Sequence, residues 1–471
     1  MTAADALAAK ASAAIPPSAP ANPRQPWRIL GLLFVVYFFS SVDRSVMGIM
    51  VQPIKEDMLL ADWQVGFLSG FAFNLVFLGF GLIVARAVDR GNRVSILAAC
   101  AAFWSVMTSA CGLSANFIQL SLMRMGVGVG EAGCLPASHS LIADYFPPEQ
   151  RTKALAIYGL GYPVGLLAGS IVAGILLDHW GWRVAFYLIG APGLIVAFLT
   201  WRFVPQPERG RFDPPIAAGG GTADPGSYRA TMRTLWQSPA LRQMLIALTL
   251  TTLFQSPTAT FLGPYLVRRF PLSYTQLGFI VAMSMMLGAS ISTLAGSWIA
   301  QWLARFNPSW MMWFPGITVA LGAIPYIVAL SQSSWVALAV WMFFGALINA
   351  TYLAPCYTIL YNALPSSGRA KAAVIVSILM GLVGMSVGAL LAGAASDGIA
   401  SRLFESRGGL SFAATCPGGD ALKGASQALH AACHGAVADA TQIVLIATMA
   451  LTIWPSVHYF LAGRALREST E

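Results

Sequence analysis

The sequence predicts an all-α membrane protein of twelve transmembrane helices in two six-helix, pseudo-symmetric bundles. Three observations carry this expectation. First, of 471 residues 57% are hydrophobic and 10% charged, with mean hydropathy +0.67; ordinary globular domains carry roughly a quarter charged residues. Second, twelve stretches reach the about 20 apolar residues that a bilayer-spanning helix needs. Third, alternating strand patterns are absent, and only helices or closed barrels satisfy the backbone inside lipid.

The twelve stretches fall at about 27–51, 63–88, 94–113, 117–145, 153–177, 183–204, 240–267, 274–304, 309–330, 335–363, 372–400 and 441–463. Residues 1–26 read as an Ala/Pro-rich cytoplasmic tail without the apolar core of a cleavable signal. Six spans form an N-terminal bundle over 27–204. Residues 205–239 then break the apolar rhythm with Pro, Gly and mixed charge, which marks a cytoplasmic linker. The other six spans form a C-terminal bundle over 240–464, with an outer loop at 401–440 and a cytoplasmic tail at 465–471.

The formal net charge of +9 could suggest nucleic acid, but its placement argues otherwise. Nineteen of the 28 Lys and Arg fall on the side holding both termini, seven lie near the opposite face, and Arg44 and Arg124 lie inside helices. That bias places both termini in the cytoplasm. Membrane lipids are the expected surroundings, nucleic acid is not a partner, and the chain is expected to be a monomer.

The halves repeat. FPPEQRTKALAI (146–157) aligns with LPSSGRAKAAVI (364–375) at a constant offset of 218, pairing Pro147 with Pro365, Arg151 with Arg369 and Lys153 with Lys371. Parallel six-plus-six repeats suit alternating access, with substrate bound between the halves near mid-membrane.

ARAVDRGNR (85–93), between the second and third spans, resembles the signature loop of the major facilitator superfamily, G-x-L-x-D-R-x-G-R-K/R. Asp89, Arg90 and Arg93 match it, while Ala85, Ala87 and Asn92 depart from it. GWRVAF (181–186) matches that superfamily's turn before the sixth helix. Within the superfamily, DRSVMGIMVQPIKEDM (43–58), RMGVGVGEAGCLPASHSLIADYFPPEQR (124–151) and ALAIYGLGYPVG (154–165) look like the spinster family. The resemblance implies a secondary transporter of an amphipathic anion, a lysolipid or sphingoid-like molecule, in a cell membrane and in particular a bacterial inner membrane. A proton-coupled carrier of a small organic acid or drug is the rival within the fold. A non-transporting sensor is the rival outside it.

Four ionisable residues lie deep in the expected helices: Asp43, Arg44, Arg124 and Glu131. Charges at the bilayer centre cost roughly 2.5–3.5 kcal/mol each on insertion scales, so such residues point to function. At about 1.5 Å per residue, Asp43 and Arg124 reach the same depth from opposite sides. They are expected to form a buried ion pair if the first and fourth helices pack together. Glu131 lies two turns beyond Arg124 on nearly the same face and is the expected proton carrier, with Asp43 beside it. A carboxyl group in a dry site holds a proton, and water or a nearby Arg releases it. Arg44 points about 100° from Asp43 and is left toward the cavity. Its guanidinium fork suits a phosphate or carboxylate head group.

In the repeat alignment Glu131 pairs with Asn349 and Arg124 with Met342, so the second half keeps polarity without charge. Its expected substrate contacts are Gln255, Asn349, Tyr352 and Tyr357, with Thr260, Phe71, Phe73, Phe254, Phe261 and Met286 near the cavity. Asp89, Arg90 and Arg93 are expected to build a cytoplasmic gate with Asp144 and Glu149, Asp89 sitting at a helix N-terminus of the other half.

No nucleophile–base pair or metal set supports an enzyme, and no cofactor is expected. GVGEAG (128–133) spells a dinucleotide motif but lies in an apolar helix without a preceding strand. Cys416 and Cys433 fall in the outer loop, where an oxidising compartment lets a disulfide form. His430 and His434 beside them lack a standard zinc spacing.

Overall fold

Long apolar runs with few charges fold as helices because lipid offers their backbone no other partner. The computed structural model describes residues 25–212, 228–364, 366–408, 411–422 and 424–468, and among these no strand occurs. Among the described residues ten helical stretches are long and apolar enough to cross a membrane; dividing one at Gly181 and adding 117–145 gives the twelve helices expected. The first three are α1 (Gln25–Met58), α2 (Asp62–Arg90) and α3 (Arg93–Cys111). α4 (117–145) is interrupted at Ala132 and Gly133. α5 (148–180) and α6 (182–203) are separated at Gly181, whose φ of 73° only glycine adopts without strain. The second half holds α7 (Pro239–Arg269), α8 (Tyr274–Ala304), α9 (Trp310–Leu330), α10 (Trp335–Asn362), α11 (Lys371–Gly408) and α12 (Gln427–Glu468).

The expected tails and linker fall partly outside the described residues, which exclude 1–24, 213–227 and 469–471; Pro365 of the repeated segment is also outside them. The described end of the linker forms a helix, Tyr228–Gln237. The outer loop is shorter than its expected 401–440 span, because α11 runs on to Gly408 and α12 already begins at Gln427. Those extensions are helical because they pack: Phe404, Phe412, Cys416, Cys433, Ala436 and Val437 form a small apolar cluster of their own. Polar Arg402, Glu405 and Arg407 face out from it.

The halves approach each other through glycines. A methyl group at Gly263 of α7 would overlap the Gly48 carbonyl of α1, and one at Gly70 of α2 would crowd Ser386 of α11. α2, α8 and α11 each contain a π-helical segment, at Phe67–Phe71, Val281–Leu287 and Leu379–Ser386. In α11 the Ser386 hydroxyl answers the displaced Gly381 carbonyl at 2.9 Å and accepts a hydrogen bond from Asn74 of α2 at 3.2 Å. Such segments recur at functional places in helices.

Candidate functional site

α1 and α4 bring the four deep charges together. Arg124 Nη1 lies 3.2 Å from Asp43 Oδ2, and both residues are buried. Thr108 of α3 donates to Asp43 Oδ1 at 2.8 Å, so both carboxylate oxygens are engaged. Nothing about Thr108 marked it in the sequence beyond one hydroxyl in an apolar run.

Arg44, expected to point away from Asp43 toward the cavity, meets a second carboxylate. Its Nε lies 2.6 Å from Glu131 Oε2. The reason is helix geometry. Side chains lean toward a helix's N-terminus, so the long Arg44 side chain on α1 drops toward the termini face. α4 runs the other way, and Glu131 lies two turns closer to that face than Arg124. Two ion pairs thus leave adjacent residues of α1 and reach residues two turns apart on α4.

The pairs are not equivalent. Asp43 and Arg124 are closed off. The Glu131 side chain is fully buried, whereas Arg44 keeps 29% of its side-chain surface exposed, and its two Nη groups make no hydrogen bond to the described residues. Glu131 Oε1 accepts no hydrogen bond either. The Arg44 guanidinium lies 5.1 Å from the Phe73 ring centre and 4.8 Å from that of Phe77, which holds it by cation–π attraction. Phe73 also faces the Arg124 guanidinium at 5.6 Å. A charged fork is therefore pinned at one nitrogen, walled by aromatics, and open at the other two.

The second half answers with amides. Gln255 of α7 donates to Asn349 Oδ1, and Tyr352 donates to Gln255 Oε1 at 3.3 Å. Asn349 Nδ2 is buried without a hydrogen-bond partner. Gln255, Asn349, Met286 and Tyr326 line a cavity of about 160 Å³. Neither Tyr352 nor Tyr357 lines that cavity, and Tyr357 is half-buried against the cluster that holds Tyr352. Five residues beyond Tyr352 it faces another side of α10, where its ring packs against Tyr361 at 5.7 Å. Phe261 is fully buried and Phe254 packs on Trp454, so neither is open to a cavity. Phe71 stacks on Phe67 in the π-helical segment of α2, and Thr260 is buried in α7.

Residues 33–389 match the Major Facilitator Superfamily. The chain belongs to that superfamily.

Within it, the chain is similar to a bacterial homologue of the human lysosomal transporter Spinster, solved inward-facing and unoccupied. The two share 27% identity and a TM-score of 0.86, over 94% of this chain and 98% of that one. It is 28% identical to an efflux pump of Mycolicibacterium smegmatis over 81% of this chain and 87% of the pump. It is 30% identical to a cis,cis-muconate transport protein of Acinetobacter baylyi, over 38% of this chain and 44% of that protein. The chain is thus a multi-pass transporter of this superfamily and resembles its spinster-type members.

The superfamily's signature loop is divided here. Arg93 is buried and pairs with Asp144 of α4 through Nη1, and the same nitrogen donates to Ser140 Oγ at 3.0 Å. Its Nη2 donates to the Pro207 carbonyl at 3.1 Å, and Asp144 Oδ1 accepts from Gly210 N at 3.1 Å. This Arg93–Asp144 pairing is one of those expected; the cluster stays inside one half and ties down the start of the linker. Asp89, Arg90 and Glu149 are exposed and make no hydrogen bond or ion pair with described residues. Asp89 does not reach a helix N-terminus of the other half in this conformation.

On the face opposite the termini lies a charged knot that went unread in the sequence. Buried Asp62 of α2 pairs with Lys55 of α1 and with Arg268 of α7, the latter at 2.9 Å. Ser396 of α11 donates to Asp62 at 2.8 Å, and Arg268 donates to Gln52 at 3.0 Å and Thr441 of α12 at 2.8 Å. These residues sit at helix ends, where charges ordinarily report topology. Above the knot, Cys416 and Cys433 are joined by a disulfide. Among the described residues no group of three His, Cys, Asp or Glu is arranged to hold a metal ion.

Proposed function

We propose that this chain is an alternating-access secondary transporter of an amphipathic anion, lysolipid or sphingoid-like, coupled to protons through Glu131. The observation that carries this reading is the half-satisfied Arg44–Glu131 pair. While Glu131 is ionised it neutralises Arg44. Once Glu131 takes a proton, the guanidinium is released to an anionic head group, so proton and anion binding at this site reinforce each other. Asp43 and Arg124 fix the neighbouring backbone and set how α1 meets α4. Gln255, Asn349 and Tyr352 supply hydrogen bonds from the facing wall, and Phe73 and Phe77 supply apolar surface.

The termini lie in the cytoplasm, the chain works as a monomer in a bacterial inner membrane, and the two bundles rock about the site. Asp89, Arg90 and Glu149 are free to bridge the halves when the termini face closes, with the Arg93–Asp144 cluster as their support. The muconate relative supports a second reading, carriage of a small organic acid. The test is paired substrate and proton flux in proteoliposomes. Glu131→Gln is expected to keep exchange of bound substrate while abolishing acceleration by a proton gradient. Unchanged flux and unchanged pH dependence in that variant overturn the proton assignment.

A further inference from the structure

The face opposite the termini is shut by a motif that occurs twice. α2 and α8 begin alike, ADWQVGF (61–67) against SYTQLGF (273–279). In both, the glutamine side chain accepts from the backbone N–H three residues before it, at 2.9 Å for Gln64 and 3.0 Å for Gln276. α5 and α11 carry the complement, GILLD (174–178) and GAASD (393–397).

The complements engage crosswise. Asp178 of α5 accepts from the Tyr274 and Thr275 N–H groups of α8 at 2.9 and 2.7 Å. Asp397 of α11 accepts from the Asp62 and Trp63 N–H groups of α2, both at 2.9 Å. Glycines set the approach. A methyl group at Gly174 would overlap the Tyr274 carbonyl and one at Gly278 the Ser170 carbonyl; one at Gly393 would overlap the Asp62 carbonyl and one at Gly66 the Ala389 carbonyl. Each half thus presents one carboxylate and one helix start, and receives one of each.

A first helical turn has N–H donors without intrahelical acceptors and a positive dipole end. A carboxylate answers both needs with short, charge-assisted bonds. Among the described residues neither Asp178 nor Asp397 forms an ion pair. Separation of the halves returns both donors and acceptors to water, so the bonds can be broken and remade in each cycle.

We propose that Asp178 and Asp397 are paired closing residues for transport: each holds a helix start of the other half while this face is shut, and both release when it opens. The proposal rests on the alternating-access reading above. The two latches differ in their backing. At the α2–α11 edge the Asp62 knot also joins α2 to α7 and α11, whereas Asp178 is exposed and stands without such a knot. Asp178 is therefore the more consequential of the two.

Nitroxides at Leu113→Cys and Ser331→Cys, exposed positions at this face in opposite halves, report its opening by pulsed EPR on the full chain in lipid nanodiscs. Both Asp178 oxygens accept, so Asp178→Asn loses one acceptor and the charge, which is expected to raise the open-to-closed ratio about tenfold. Asp397→Asn is expected to raise it less, and the double variant most. Gly393→Leu, which wedges the same edge without touching charge, is expected to lengthen the distance as well. Folded Asp178→Asn and double variants with the wild-type distance distribution overturn the proposal. Substrate flux is measured separately. Flux with unmoved distances sinks the latch and spares the transport reading; widened distances in a chain that carries no flux do the reverse.

Discussion

Arg44 Nε sits 2.6 Å from Glu131 Oε2, yet the outer nitrogens of that guanidinium and the second oxygen of that carboxylate are left over. In the neighbouring pair both Asp43 oxygens are engaged, by Arg124 and Thr108, and only Arg124 Nε is buried without a hydrogen-bond partner. The two Nη groups belong to a side chain that keeps 29% of its surface exposed, whereas Glu131 Oε1 is buried. They are what a substrate head group and a proton would complete.

Arg44→Lys follows directly. A lysine keeps the charge but not the fork, so it can answer Glu131 or an anion but not both in fixed geometry. The expected outcome is a rise in transport KM of about tenfold or more, the size of one lost charge-assisted hydrogen bond. Arg44→Gln is expected to abolish anion flux. Equal KM values for wild type and Arg44→Lys would show that the head group is held elsewhere.

The Asp43–Arg124 pair should behave as structure. Arg124→Gln leaves a buried carboxylate without its counter-charge, which costs about 3–5 kcal/mol. Thr108→Val removes one hydrogen bond to that carboxylate and costs about 1.5–3 kcal/mol. Both are expected to lower Tm in detergent, Arg124→Gln by more. The Thr108→Val substitution should leave the pH dependence of flux in place, because it touches neither Arg44 nor Glu131.

The disulfide lobe gives a pH prediction with a definite sign. Burial pushes the Asp420 carboxyl up, but hydrogen bonds from His430 at 2.7 Å and Ala421 N, with His434 at 3.2 Å, outweigh it and lower its pKa below the ordinary value. A depressed folded pKa means that its contribution is present above the unfolded carboxylate value of about 3.9 and is lost as pH falls through the folded value. Between pH 7 and 5 Asp420 should therefore add no pH dependence, and protection of 411–436 from hydrogen exchange should fall below about pH 4. The Cys416–Cys433 bond closes a separation of 17 residues, worth about 3 kcal/mol by chain entropy. Cys416→Ser should expose the same segment at neutral pH.

Much of this is legible in the sequence. Apolar run length and the internal repeat gave the helices, and depth counting gave the Asp43–Arg124 pairing. The same counting left the Arg44–Glu131 pairing unread, because it located Cα atoms, whereas a six-bond side chain leaning down α1 reaches a full turn away. Tyr357 lies about 500° of helix turn beyond Tyr352, at about 100° per residue, so the two rings leave α10 in different directions. The signature loop was readable as a motif but not as a geometry, since which charges meet depends on which face is shut. The Asp178 and Asp397 caps escaped because their partners are backbone N–H groups. A scan for repeats at helix starts, rather than only at the fourth-to-fifth connection, would have exposed ADWQVGF and SYTQLGF.

The substrate class can be decided by how the two walls share a ligand. Arg44 and its aromatics lie in the first half, and the buried Asn349 Nδ2 without a partner lies in the second. A lysolipid or sphingoid phosphate can place its head at Arg44 and still reach the amide wall through its polar backbone, with its chain on Phe73 and Phe77. A small diacid can meet Arg44 but offers nothing to the aromatics. A lysophospholipid is therefore expected to raise Tm in a thermal-shift assay by several degrees, and cis,cis-muconate much less. Asn349→Ala should cut the lysophospholipid response while leaving that to inorganic phosphate unchanged. Stabilisation by muconate alone, with no response to lysophospholipid, would sink the lipid reading and leave the organic-acid one standing.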